Sequence, residues 1–301
     1  MPFVDGYGLT PLEGGWSGET FVAESAGQRT VVRLYVQRGA RRGPRAVEVD
    51  AAVLRLVRGL LPVPEVLEVR RPDPAAGTPA LLVTSLLPGV RLDTVLSQVS
   101  DATRAAVGSN LGVLLGRLAQ MPMLWPGRLV DGDLSVEPWD EGADLVGWVE
   151  SQRSTSSLAN WTPGDYSALL EVADQAQTVL DQVTRVSLVH GDLNPKNVLV
   201  DPGTGVVTGL VDWEFCHAGA PVADLGNLLR FDREPVFARA VLDGYRSTVP
   251  DAGDAVLDQA RAADMYALVE LAGRRGENPV TEAAHQLLTA VARSGDLDAV
   301  P

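Results

Sequence analysis

Val189-His190-Gly191-Asp192-Leu193-Asn194-Pro195-Lys196-Asn197-Val198-Leu199-Val200 is a polar loop held between two short apolar runs. Runs of β-branched and aliphatic residues read as strands, so the loop's polar side chains sit at strand ends. Asn197 follows Asp192 by five residues, and Asp212 stands fifteen beyond Asn197, closing the apolar run Val206-Val207-Thr208-Gly209-Leu210-Val211. Between the two apolar runs, Asp201-Pro202-Gly203-Thr204-Gly205 has the chemistry of a hairpin turn. A carboxylate, an amide and a second carboxylate at strand ends are what phosphoryl transfer from a magnesium nucleotide requires. One receives the acceptor's proton, and two oxygen donors hold the metal on the phosphates.

The series His190-Gly191-Asp192, Asn197 and Asp212 resembles the catalytic loop of the aminoglycoside phosphotransferase and choline kinase branch of the kinase superfamily. That branch reads His-Gly-Asp where protein kinases read His-Arg-Asp. The resemblance implies an α+β, two-lobed, protein-kinase-like fold. Residues 1–87 are expected as a nucleotide-binding lobe, a small antiparallel sheet with one long helix. Residues 88–301 are expected as a mostly helical catalytic and acceptor-binding lobe. It also implies an enzyme that uses ATP (or GTP) and Mg2+, with Asp192 as base and Asn197 and Asp212 as metal ligands. His190 would hold the loop by hydrogen bonds, and Asp224, in Gly219–Leu228, would brace it. Lys196 is the one lysine, against 24 arginines. It either approaches the transferring phosphoryl group or meets solvent. The chain has no His-Arg-Asp, Asp-Phe-Gly or Ala-Pro-Glu segment, which argues against a protein kinase.

Towards the N-terminus, Gly14-Gly15-Trp16-Ser17-Gly18-Glu19-Thr20-Phe21 suits a hairpin whose backbone N–H groups approach phosphate oxygens. Its order resembles the family's nucleotide loop, with Gly14, Gly15, Ser17 and Gly18 as the contacts. Residues 29–36 read as a strand, and Pro44 opens a helical pattern through Val47, Ala51 and Leu54 that ends near Gly59. In the kinase pattern a strand cation grips phosphates and pairs with a Glu on this helix. Arg33 and Glu48 match those positions. Arg in place of Lys departs from the pattern: it keeps the charge but is longer and planar. The departure also admits a nucleotide-binding regulator without turnover. Residues 66–69 and 81–84 read as two further strands. Ser85, Leu86 and Leu87 then match the linker that offers backbone groups to the adenine, and Pro88-Gly89 marks the change from strands to helices.

Helical spacing recurs at 101–120, 164–183, 235–247, 253–273 and 280–293. Gly108, Gly112 and Gly116 share one face of the first of these, a seam for close helix packing. Trp125, Trp139, Trp148 and Trp161 stand among acids over 125–161, which reads either as a pair of helices with Trp in the core and acids towards solvent or as a candidate acceptor region. With 46% hydrophobic and 21% charged residues the chain is globular. Its net charge of −14 divides into +1 over residues 1–87 and −15 over 88–301; the acidic part disfavours nucleic acid, and either serves solubility or would focus a cationic substrate. An aminoglycoside or a basic peptide antibiotic fits that charge, and with it a role in antibiotic resistance. A metabolite kinase acting on a choline-like, amino-acid or sugar acceptor uses the same catalytic set. The single cysteine, Cys216, excludes an intrachain disulfide, and neither a secretory signal nor a membrane-length apolar run is visible. The expectation is a cytoplasmic protein whose partner is a small-molecule acceptor.

Overall fold

The structure, a computed structural model, describes residues 8–12, 20–25, 27–36, 42–139 and 144–300. Strands β1 (Gly8–Pro11), β2 (Thr20–Ser25) and β3 (Gln28–Tyr35) precede helix α1 (Ala46–Val57), and β4 (Val66–Arg70) and β5 (Ala80–Ser85) follow it. They form one antiparallel sheet in the order β1-β2-β3-β5-β4. In register, Arg33 lies opposite Thr20 on one side and Leu82 on the other.

After residue 85 helices dominate. Strand β6 (Val90–Arg91) leads into the short α2 (Leu92–Val95) and the long α3 (Asp101–Ala119). The hairpin β7 (Gly127–Leu129) and β8 (Val136–Pro138) precedes α4 (Leu145–Arg153) and α5 (Pro163–Leu180). Strands β9 (Ser187–Val189), β10 (Val198–Val200), β11 (Val207–Leu210) and β12 (His217–Gly219) carry the loops read above. The chain ends in α6 (Ala223–Leu228), α7 (Pro235–Thr248), α8 (Val256–Gly273) and α9 (Pro279–Ser294). Helix starts are set by local chemistry. Ser100 Oγ accepts from Thr103 N, Thr162 Oγ1 accepts from Asp165 N ahead of Pro163, and Asn278 and Thr281 cap each other reciprocally. Gly295, left-handed at φ 72°, stops α9.

Two apolar cores result. One joins α1 to β5, α2, α3, β10, β11, α6 and α7. The other lies among α4, α5, α8 and α9. The expected strands and helices agree with these elements to within a few residues at each end. The glycine seam on α3 packs directly on α7. A Cβ at Gly112 would stand 2.1 Å from Val241 O and 2.7 Å from Tyr245 N, so the two backbones touch only because the side chain is absent. Gly112→Ala therefore has to spread two helices of the main core. It is expected to destabilise the fold by ~2 kcal/mol or more in urea unfolding, as overpacked cores do. Gly253→Ala, where a Cβ meets nothing within 4 Å, should leave the midpoint unchanged.

Candidate active site

The loop after β9 is shaped by one buried carboxylate. Asp224, in the first turn of α6, accepts from His190 N at 2.8 Å and Gly191 N at 3.0 Å. Gly191 is left-handed, at φ 81°, and a Cβ there would meet Phe215 O at 2.3 Å. Only glycine fits between the catalytic loop and that carbonyl. His190 is fully buried, with Nε2 3.0 Å from Val211 O and Nδ1 3.3 Å from Asp192 N. These contacts assign Nε2 as the donor and Nδ1 as the acceptor. Burial holds its pKa down, to about 4, so it stays neutral and structural. The loop then folds on itself. Asp192 Oδ1 accepts from Asn194 Nδ2 and Oδ2 from Asn197 Nδ2, each at 3.0 Å, and Asn197 Nδ2 also reaches Asp192 O at 2.8 Å. Burial, then the charge of Asp212, pushes the Asp192 pKa up to about 6, against the pull of Arg230 and the two amides.

Asp212 follows β11 in the left-handed region, at φ 66° and ψ 58°, which Asp tolerates better than most residues. A short 3-10 turn, Trp213–Phe215, comes next and buries Glu214. Arg33 reaches across from β3 and donates through Nη1 to Asp212 Oδ1 at 3.1 Å and through Nη2 to Glu214 Oε2. Burial opposes its charge, yet Asp212 and Glu214 together raise its pKa above the ordinary value.

The expected pairing of Arg33 with Glu48 is not formed. Glu48 instead accepts from Arg71 Nε at 2.6 Å at the surface. The buried face of α1 carries Val47, Ala51, Leu54 and Asp50, and two residues along a helix turn a side chain to the far side. Asp50 is the carboxylate that faces the cleft, which the sequence reading missed; an acid in phase with an apolar stripe was the available signal. Asp50 is occupied by Arg42, at 2.9 and 2.6 Å, and by the Tyr35 hydroxyl at 2.6 Å.

A cleft of about 710 Å³ runs between the sheet and the helical lobe. Arg33, Leu82, Ser85 and Leu87 line it from the sheet side, and Asp192, Lys196, Asn197 and Asp212 from below. Asp93, Arg230, Asp232, Glu270 and Arg274 extend it over α8. Arg230 is buried and paired twice with Asp264, at 2.8 and 2.6 Å, and was not among the expected site residues. Gly14, Gly15, Ser17 and Gly18 lie outside the described residues. None of the four tryptophans of 125–161 lines this cleft. Trp148 packs beside the second core and donates to Tyr266 O, Trp125 donates to Val136 O, and Trp139 and Trp161 stand edge-on to His217 and His285. Tryptophans close in sequence are thus dispersed in space.

The residues of the cleft suit a metal-bound nucleotide. Asn197 turns its Nδ2 to Asp192, which leaves Oδ1, the atom a hard cation would use, facing away from that carboxylate. Arg33 Nε is a buried donor without a partner among the described residues. The phosphotransferase enzyme family matches residues 8–259. The chain belongs to that family. It is 30% identical over 190 residues to an aminoglycoside 3'-phosphotransferase of Streptomyces fradiae, a match spanning 62% of this chain and 65% of that relative. A second such enzyme, of Streptomyces ribosidificus, is 28% identical over 204 residues, 63% of this chain and 68% of its own length. Among solved structures, the GDP complex of a wild-type aminoglycoside 2'-phosphotransferase superposes with a TM-score of 0.72 at 15% identity. It covers 97% of this chain and 95% of its own. That likeness establishes the protein-kinase-like fold.

Two measurements check this geometry. Asp50→Asn removes the charge that Arg42 and the Tyr35 hydroxyl face, and should cost ~2–3 kcal/mol in thermal or urea unfolding. Glu48→Gln should stay within ~0.5 kcal/mol; the reverse order would return Glu48 to the site. Carbon-13 carboxyl titration of the metal-free protein should place Asp192 near 6. In Asp212→Asn the midpoint should fall, because a neighbouring negative charge is gone; an unmoved midpoint would mean that burial alone raises it.

Proposed function

We propose that this protein moves the γ-phosphoryl group of ATP or GTP to a hydroxyl of a small cationic acceptor of the aminoglycoside kind. The observation that carries the reading is that Asp192, Asn197 and Asp212 line one cleft, with Arg33 above them on the opposing sheet. Family membership and the two streptomycete relatives support the same chemistry.

In this reading residues 1–87 bind the nucleotide, and residues 88–301 carry the catalytic and acceptor groups. Mg2+ held by Asn197 and Asp212 would neutralise charge on the phosphates. Each oxygen of Asp192 is used once by an asparagine amide and keeps a lone pair, so the carboxylate can accept the acceptor's O–H and take its proton as the oxygen attacks. Asn194 and Asn197 hold the two oxygens in place while it does so. His190, neutral, keeps the loop backbone tied to β11 through Val211 O. Arg33 and Lys196 are the cations assigned to the phosphates, Gly14, Gly15, Ser17 and Gly18 the loop over them, and Ser85 and Leu87 the adenine linker. For the acceptor, Asp93, Asp232 and Glu270 supply carboxylates along the helical part of the cleft, where ammonium groups would be attracted. Location in the cytoplasm, where nucleoside triphosphate is supplied, belongs to the same reading. Among the described residues no helix is long and apolar enough to cross a membrane.

The test is a panel of aminoglycosides, basic peptides, choline-like amines, amino acids and sugars, scored for ADP or GDP release above hydrolysis. An aminoglycoside is expected to stimulate release, and Asp192→Asn to lower kcat by ~10²–10⁴-fold with nucleotide affinity kept. Stimulation only by a sugar or an amino acid would move the assignment to a metabolite kinase. Binding without turnover on any acceptor would make the protein a regulator.

A further inference from the structure

Arg33 does not pair with an acid on α1, because neither acid there is available to it. Glu48 is turned to Arg71, and Asp50 is taken by Arg42 and Tyr35. Its two terminal nitrogens are divided instead between Asp212 and Glu214, two residues apart on the loop after β11. The two acids differ in their surroundings. The Glu214 side chain is 3% exposed, while that of Asp212 is 42% exposed and faces the cleft. An ion pair to a buried carboxylate is little screened by water, whereas one to an exposed carboxylate is screened and weak. The Arg33 contact to Glu214 is therefore the persistent one, and the contact to Asp212 is the one that can be exchanged.

We infer that Glu214 is the positioning residue of Arg33, holding its guanidinium where one arm covers Asp212 until nucleotide and metal arrive. When Asp212 is taken up by a divalent cation, the Nη1 arm and the unpartnered Nε–H are released towards phosphate oxygens, and the Nη2 arm stays on Glu214. The inference rests on the phosphotransferase reading for the identity of the ligand, but not for the ion pairs. Its consequence is that Arg33 opposes metal binding in the empty protein and favours metal–nucleotide binding. A residue that merely stabilised the fold would not act with opposite signs on the two ligands.

The experiment uses the full chain and two probes, Mn2+ alone followed by its magnetic resonance signal, and Mg-ADP followed by calorimetry. Arg33→Gln should bind Mn2+ several-fold tighter, because a competing cation is gone, and Mg-ADP ~10-fold weaker, the loss of a charged hydrogen bond. Glu214→Gln should also weaken Mg-ADP, and the double variant should be no weaker than Arg33→Gln. Additive losses at Arg33 and Glu214 would overturn the inference, as would unchanged Mn2+ affinity in Arg33→Gln. Should Glu214→Gln not fold, by circular dichroism, the Mn2+ arm on Arg33→Gln still decides. If the wild type binds no nucleotide, the proposed function fails, while the cycle measured with Mn2+ still tests the pairing.

Discussion

Asp224 accepts two successive backbone N–H groups, from His190 and Gly191, and the rest of the site hangs from that pair of bonds. Fixing both amides turns the chain sharply at Gly191, which the carbonyl of Phe215 permits only for glycine. The turn presents Asp192 to the cleft and brings Asn194 and Asn197 back onto it. The same bonds anchor His190, whose other ring nitrogen meets Val211 O, the residue before Asp212. One carboxylate therefore sets the relative positions of the loop after β9 and the loop after β11. Asp224 is itself fully buried, and burial raises its pKa to about 6 against the two amides that lower it. A buried acid is costly unless hydrogen-bonded, so its retention on α6 marks the loop geometry as the thing being stabilised.

Around that frame the protein collects more negative charge than it can neutralise locally. Asp192, Asp212 and Glu214 line one cleft, and Arg33 and Arg230 answer them from opposite walls. Arg230 is committed to Asp264 by two bonds, so what it lends Asp192 is field and not contact. Burial first, and the charge of Asp212 second, raise the pKa of Asp192, and the left-handed backbone of Asp212 is a separate local cost to the empty fold. A divalent cation is a group whose charge would offset that of the facing carboxylates. Active sites concentrate such unfavourable groups because the ligand compensates them.

Much of this was legible in the chain because the signals are local. Alternation and β-branching mark β3 and β5, the 3.6 period marks α3, α5, α8 and α9, and the Asp192–Asn197 spacing is a property of one loop. What failed was phase and tertiary choice. Glu48 and Asp50 lie only two residues apart in the chain, and only the orientation of α1 on the core decides which faces the cleft. Glu214 stands two residues after the expected metal ligand, yet its pairing with β3 depends on how the sheet lies over the helical lobe. The tryptophans of 125–161 do not gather at the cleft for the same reason: Trp148 and Trp161 pack against the second core, while Trp125 and Trp139 lie by the β7–β8 hairpin.

The arginine at position 33 can be understood from the acids it meets. A lysine offers one compact ammonium, and a single acid on α1 would be enough to hold it. Here the left-handed residue at 212 and the tight turn after it set two carboxylates on one loop facing the strand. A planar fork can address both at once, and still keep a third donor, Nε–H, for another oxygen. The acid of α1 is taken by other groups, Arg42 and Tyr35. The arginine at 33, its two partners on the loop after β11 and the occupation of Asp50 thus fit together as one arrangement. It ties the sheet to the helical lobe through the residue expected to hold the metal.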